Sequence, residues 1–220
     1  MKKLNELALQ YKTDKSSDAN NYAEKYETYF APFRNKEVKV LEIGVGSGAS
    51  LKMWKEYFTK GQIYGLDIMD CSALQEDRIK IIQGSQSDIP FLESMNAEYG
   101  PFDIIIDDGS HINEEMITSF STLFPMLNPG GMYAVESLLS CYWPWAQPNV
   151  NNNFNVAIQQ LVHNVNACGK TGTTKIENDE TDVIYSGKRM GEMTYWDMNV
   201  KSLHLHRGIV FVEKYELIKK

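Results

Sequence analysis

The stretch from Val38 to Ser50, VKVLEIGVGSGAS, constrains this chain more than any other. Val38, Val40, Leu41 and Ile43 make a β-branched, apolar run of strand length. Gly44, Gly46 and Gly48 follow at alternate positions, where the backbone turns tightly and comes close to a ligand that any Cβ would obstruct. From Ser50 the spacing becomes helical, with Leu51, Trp54, Tyr57 and Phe58 on one face. A strand that runs through a glycine turn into a helix N-terminus is the nucleotide-binding start of a doubly wound α/β fold.

The glycines alone do not choose the ligand. Gly44, Gly46 and Ala49 fit a dinucleotide fingerprint, which keeps a NAD-dependent reductase open. Glu42 argues the other way. A carboxylate just ahead of the first glycine is ill placed beside a pyrophosphate and well placed beside an ammonium, such as the methionyl amine of S-adenosylmethionine. An acidic residue followed by G-x-G-x-G resembles motif I of class I methyltransferases.

The remaining pattern alternates strands with helices and calls for a mostly parallel sheet with ligands at the strands' carboxyl ends. Strands are expected over 62–68, 79–83, 102–107 and 132–137, and a closing antiparallel hairpin over 200–213. Helices are expected over 1–10, 89–99, 114–127 and 155–167, and over an aromatic stripe of Tyr22, Tyr26, Tyr29, Phe30 and Phe33 ended by Pro32. Asp67 ends the second strand about twenty residues past the glycines, the spacing of a ribose-binding acid. Ser85 and Gln86 follow the third strand, beside the place of an adenine ring. Glu42, Asp67, Asp107, Asp108 and Glu136 all fall at such strand ends.

The 220 residues suit one domain spanning 1–220. Within it, 1–37 forms a helical segment over the cofactor site and 138–193 supplies acceptor-side loops and a helix. Residues 138–154 hold Tyr142-Trp-Pro-Trp145, an aromatic lip for an acceptor, and 168–193 reads as a mobile loop. A formal net charge of −7 argues against broad nucleic-acid binding. Cys71, Cys141 and Cys168 lie too far apart for a thiol metal site or a disulfide framework. No apolar run suggests a signal peptide or a membrane span, so a cytoplasmic protein is expected.

A second constellation, Asp107-Asp-Gly-Ser-His111 with Glu136, joins hard oxygen donors to a titratable imidazole. Carboxylates without thiols suit Mg²⁺. With these residues in view, the chain resembles the metal-dependent sugar O-methyltransferases of macrolide tailoring, the mycinamicin type. The likeness is carried by Tyr11-Lys-Thr-Asp-Lys15, the run from Leu41 to Gly46, the run from Gly48 to Trp54, Tyr64-Gly-Leu-Asp-Ile68, Gln83-Gly-Ser-Gln-Ser-Asp88, the run from Gly100 to Asn113, Pro129-Gly-Gly131 and Tyr142-Trp-Pro144. It covers most of the chain up to about residue 145 and fades beyond it.

The resemblance implies a Rossmann-like class I fold, S-adenosylmethionine as methyl donor, Mg²⁺, and a small-molecule or glycan-precursor acceptor methylated on a sugar hydroxyl. It implies no membrane partner and leaves a homo-oligomer open. It casts Asp108 as a metal ligand and His111 as general base. A Glu-Asp pair after the fifth strand completes the family's metal site; here that pair is Glu136-Ser137, one carboxylate short. The cofactor candidates are Tyr11, Thr13, Glu42, Gly44, Gly46, Ser50, Asp67, Ser85, Gln86 and Asp107. The metal candidates are Asp108, Glu136 and Ser137. A non-catalytic S-adenosylmethionine-binding protein and a cephalosporin hydroxylase-like enzyme stand as further alternatives.

Overall fold

A computed structural model describes residues 2–147, 152–166 and 194–215. The expected loop over 168–193, and Cys168 with it, lies outside the described residues. The described chain forms one seven-stranded sheet. In chain order its elements are α1 (Leu4–Tyr11), α2 (Ala23–Phe30), β1 (Lys39–Ile43), α3 (Ala49–Tyr57), β2 (Gln62–Asp67), β3 (Ile79–Gln83) and α4 (Ile89–Tyr99). Then come β4 (Ile104–Asp107), α5 (Asn113–Leu123), β5 (Met132–Val135), α6 (Phe154–Val165), α7 (Tyr195–Asn199), β6 (Val200–His206) and β7 (Ile209–Lys214).

The strand order is β3-β2-β1-β4-β5-β7-β6. The five strands from β3 to β5 are parallel, and β7 pairs antiparallel with both β5 and β6. This is the mostly parallel sheet with a closing antiparallel hairpin expected from the sequence. The strand order reverses between β1 and β4, and a sheet of this kind opens its ligand crevice at that switch point.

Each face of the sheet carries its own core. On one side α1, α2 and α3 pack Leu4, Tyr26, Phe30, Trp54 and Phe58 against Val40, Ile63 and Ile104. On the other, α4, α5 and α6 pack Leu92, Phe120, Phe154 and Ile158 against Leu41, Ile105 and Tyr133. Alternate residues of each strand therefore serve opposite cores, which is why β4 is apolar from Ile104 to Ile106 and β1 is apolar at Val40, Leu41 and Ile43. The aromatic stripe of α2 is core on its Tyr26 and Phe30 side, where both rings are fully buried. Tyr29 and Phe33 are partly buried at its margin.

Several elements differ from expectation for local reasons. The helix expected over 114–127 is α-helical only to Leu123 and continues as a 3₁₀ turn, Phe124–Met126. Pro125 has no N–H to continue the ladder. The fifth strand stops at Val135, so Glu136 stands just past its end. Residues 138–154, expected to be irregular, contain two 3₁₀ turns, Leu138–Tyr142 and Pro144–Ala146. α7 was not anticipated, although Thr194 and Asp197 carry a capping box in which each caps the other's backbone N–H.

Candidate active site

Two cavities of about 330 Å³ each flank Gly44 at the carboxyl ends of the central strands. The first is lined by Ile43, Leu66, Asp67, Ser85, Gln86, Gly109 and Ser110, among others. The second is lined by Thr13, Lys15, Val45, Gly46, Ser50 and Asp108, among others. Gly44 borders both. Its φ is +89°, and a Cβ there would stand 2.1 Å from the Asp108 carbonyl oxygen. The glycine turn thus passes directly beneath the Asp108–Gly109 backbone, and no larger residue fits between them.

Asp67 faces the first cavity and also ties the glycine turn. Its Oδ2 accepts from Val45 N at 2.8 Å, and its Oδ1 accepts from Met69 N at 2.9 Å. Substitution by alanine would loosen the turn as well as remove the carboxylate that faces the cavity. Asp67→Asn keeps a carbonyl acceptor for the turn and removes the charge. This variant should raise the dissociation constant for S-adenosylhomocysteine at least tenfold, about 1.4 kcal/mol. Unchanged affinity by calorimetry would contradict a cofactor role for Asp67.

Gln86 braces the loop after β4. Its Oε1 accepts from Ser110 N at 2.8 Å, and its Nε2 donates to Asp107 Oδ1 at 3.2 Å. Ser85 borders the same cavity, with its hydroxyl 2.8 Å from that of Ser87.

Two of the cofactor candidates are interior supports that line neither cavity. Asp107 is buried and accepts from Ser119 Oγ, Tyr133 OH and Gln86. Burial pushes its carboxyl up to about 6, against the pull of those donors. Glu42 is fully buried, with Oε2 accepting from Ser50 Oγ at 2.7 Å. It stands behind the turn, where Ser50 and Lys15 separate it from the second cavity. A third candidate, Tyr11, also lies apart from both cavities: its hydroxyl donates to Glu56 Oε2 at 2.7 Å on α3.

The raised Asp107 has a consequence for stability. A carboxyl whose folded pKa exceeds its unfolded value of 3.8 contributes most below 3.8, and that contribution is lost as pH rises through about 6. The loss is roughly 3 kcal/mol. Asp107→Asn does not titrate there. The stability of wild type relative to Asp107→Asn should therefore fall as pH is raised from about 4 to about 7, read by urea unfolding at each pH. A difference independent of pH would show that Asp107 is not held up.

Lys15 stands in the Tyr11–Lys15 motif of the family resemblance but carries no expected site role. Its side chain is 1% exposed, and its Nζ lies 2.7 Å from Asp108 Oδ2, 2.9 Å from Glu136 Oε1 and 3.3 Å from Glu42 Oε1. Asp14 Oδ1 stands further off, at 4.0 Å. Burial by itself would lower the Lys15 pKa, but Glu136, Asp108 and Glu42 outweigh it and hold the ammonium well above its usual value. Glu136 is pushed up to about 8 by burial and then by Asp108, while Lys15 and Tyr26 favour its ionised form. Tyr26 OH donates to Glu136 Oε1 at 2.5 Å. Glu136 Oε2 is buried and has no hydrogen-bond partner among the described residues.

His111 completes the cluster. It lies just before α5 with φ +60°, and its Nε2 is 4.0 Å from Asp108 Oδ1. Ser137 is also left-handed, at φ +56°. Two non-glycine residues held in this region at neighbouring strand ends mark a backbone shaped by something other than local preference. Past Ser137, Leu139, Tyr142, Trp143 and Trp145 are exposed, with the two indole rings 5.3 Å apart. Ser140 Oγ donates to the His111 carbonyl at 3.2 Å, which fastens this aromatic segment to the histidine loop.

The sheet order, the glycine turn and the paired cavities define a Rossmann-like class I methyltransferase fold. No family model matches the chain. Mycinamicin VI 2''-O-methyltransferase of Micromonospora griseorubida is 40% identical over 220 residues, covering 96% of this chain and 52% of that protein. Demethylmacrocin O-methyltransferase of Streptomyces fradiae is 40% identical over 219 residues, covering 96% of this chain and 53% of that protein. The solved structure of MycE methyltransferase from the mycinamycin pathway, in complex with Mg, SAH and mycinamycin VI, matches with a TM-score of 0.82 at 36% identity. That match covers 99% of this chain and 56% of the other. The chain is therefore a homologue of the mycinamicin-type sugar O-methyltransferases, and it spans about half the length of the relatives it matches.

Proposed function

We propose that this chain is an S-adenosylmethionine-dependent O-methyltransferase that methylates a sugar hydroxyl of a glycoside or polysaccharide precursor. The observation that carries the proposal is the juxtaposition of the Gly44 cleft with Asp108, His111 and Glu136 on one sheet edge. In this reading the adenosine half of the donor occupies the cavity of Asp67, Ser85 and Gln86. The methionyl half follows Thr13, Gly46 and Ser50 in the second cavity. The relatives and the MycE complex, which carry the names of O-methyltransferases and of SAH, support it.

Among the described residues no group of three or more His, Cys, Asp or Glu side chains is arranged to hold a metal. Two carboxylates suffice for Mg²⁺, which usually keeps several waters. Asp108 and Glu136 fit that role, because the buried Glu136 Oε2 has no hydrogen-bond partner among the described residues. Ser137 adds a neutral oxygen. Bound there, Mg²⁺ would lower the pKa of an acceptor hydroxyl.

The chain's own residues do the rest. The aromatic lip of Tyr142, Trp143 and Trp145 offers a ring surface to the acceptor. His111 accepts the hydroxyl proton as the acceptor oxygen displaces the sulfur of the donor, so that the methyl passes to oxygen and S-adenosylhomocysteine leaves. Cleft residues hold the two substrates in line, and proximity supplies much of the rate. With only two carboxylates, turnover should require Mg²⁺ at roughly millimolar concentration and should stop in excess chelator. Full activity of a demonstrably metal-free preparation would remove the metal from this mechanism and leave His111 acting alone.

A further inference from the structure

The ends of β1, β4 and β5 are neighbours in the sheet, and each delivers a carboxylate to the same ammonium. The Lys15 ammonium lies within 3.3 Å of one carboxylate oxygen of each of Glu42, Asp108 and Glu136, and it donates a hydrogen bond to Asp108 Oδ2. Three carboxylates against one ammonium leave the cluster formally short of positive charge. The oxygens turned away from Lys15 are Asp108 Oδ1, beside His111, and Glu136 Oε2, which is buried without a hydrogen-bond partner among the described residues.

We propose that Lys15 is a resident counter-cation: it positions Asp108 and Glu136 and, by occupying their inner oxygens, keeps the affinity of this pair for a divalent ion low. The inference rests on the reading that a divalent ion binds at Asp108 and Glu136. Lys15 pulls both carboxylates toward a single point, so they do not spring apart when no metal is bound. The same charge repels an incoming cation a few ångströms away. A site with two carboxylates and a fixed ammonium is thus organised in advance and weak in binding. A staple that serves structure alone predicts a different outcome on removal. Structural damage loosens a metal site, whereas removal of a competing charge tightens it.

Titration of Mn²⁺ into the metal-free protein, followed by the electron paramagnetic resonance signal of the free ion, distinguishes the two. Lys15→Met should bind Mn²⁺ at least tenfold more tightly than wild type. Because that variant buries three carboxylates without a cation, its folding is at risk. The double variant Lys15→Met/Glu42→Gln removes one charge of each sign and is compared with Glu42→Gln alone. The double variant should again bind at least tenfold more tightly than its single-variant reference. Tighter binding in either comparison supports the inference, including the case in which wild type binds no detectable ion. Equal or weaker binding in folded Lys15 variants overturns it and leaves the metal reading standing. No binding in any of the proteins overturns both.

Discussion

His111→Asn should lower kcat by about 10²–10⁴, the usual worth of a general base, with the affinity for S-adenosylhomocysteine unchanged. Asparagine is the informative replacement because it tolerates the left-handed backbone that His111 adopts at φ +60°. His111→Ala would add a backbone effect to the chemical one. The affinity should hold because His111 lines neither cavity at Gly44. A sugar hydroxyl is a poor nucleophile near neutral pH, so loss of the proton acceptor falls on the chemical step. A drop in affinity that matched the drop in kcat would mean the histidine loop supports the cofactor cleft instead. Unchanged kcat would remove His111 from the reaction.

Gly44→Ala should weaken S-adenosylhomocysteine binding by at least a hundredfold, about 2.7 kcal/mol, and lower the melting temperature as well. The new Cβ would stand 2.1 Å from the Asp108 carbonyl oxygen and 3.0 Å from Gly109 Cα, and φ is +89°. Backbone gives way only by moving, so either the glycine turn or the loop carrying Asp108 and His111 must shift. Both cavities border Gly44, so either movement deforms the cleft. Gly46→Ala is the control. At Gly46 a Cβ meets nothing within 4 Å, leaving only the backbone strain of its φ of +50°. Calorimetry and thermal unfolding of the two variants should separate a blocked cleft from ordinary glycine strain. Equal affinity in both would contradict the close packing of the turn beneath Asp108.

Most of the architecture was legible because this sheet is buried on both faces. The apolar positions of β1 and β4, the glycine turn and the acids at strand ends carry strong local signals, and each expected strand forms, the fifth ending early at Val135. The helix boundary at Leu123 was less legible, since the apolar periodicity continues through Pro125 although the hydrogen-bond ladder cannot. Within the site, sequence position alone could not separate adjacent acids. Asp107 and Asp108 are neighbours in a strand end, so successive side chains point to opposite faces. One is an interior support; the other reaches the second cavity. The role of Lys15 was hidden for a different reason. A lysine in a polar loop reads as solvent-exposed, and only the long-range meeting of that loop with β1, β4 and β5 buries it. Such partners, 27 to 121 residues apart in sequence, leave no local pattern.

Transfer of an isotopically labelled methyl group from S-adenosylmethionine, in the presence of Mg²⁺ and a panel of deoxysugar glycosides, tests the central claim most directly. Mass spectrometry of the acceptor, with fragmentation to separate sugar from aglycone, locates the label. The account predicts label on a sugar oxygen of at least one glycoside, with one S-adenosylhomocysteine formed for each methyl transferred. It also predicts that His111→Asn abolishes most of the transfer while still binding the cofactor. Binding of S-adenosylmethionine with no methyl transfer to any sugar hydroxyl, or turnover of a nicotinamide cofactor in its place, would contradict it.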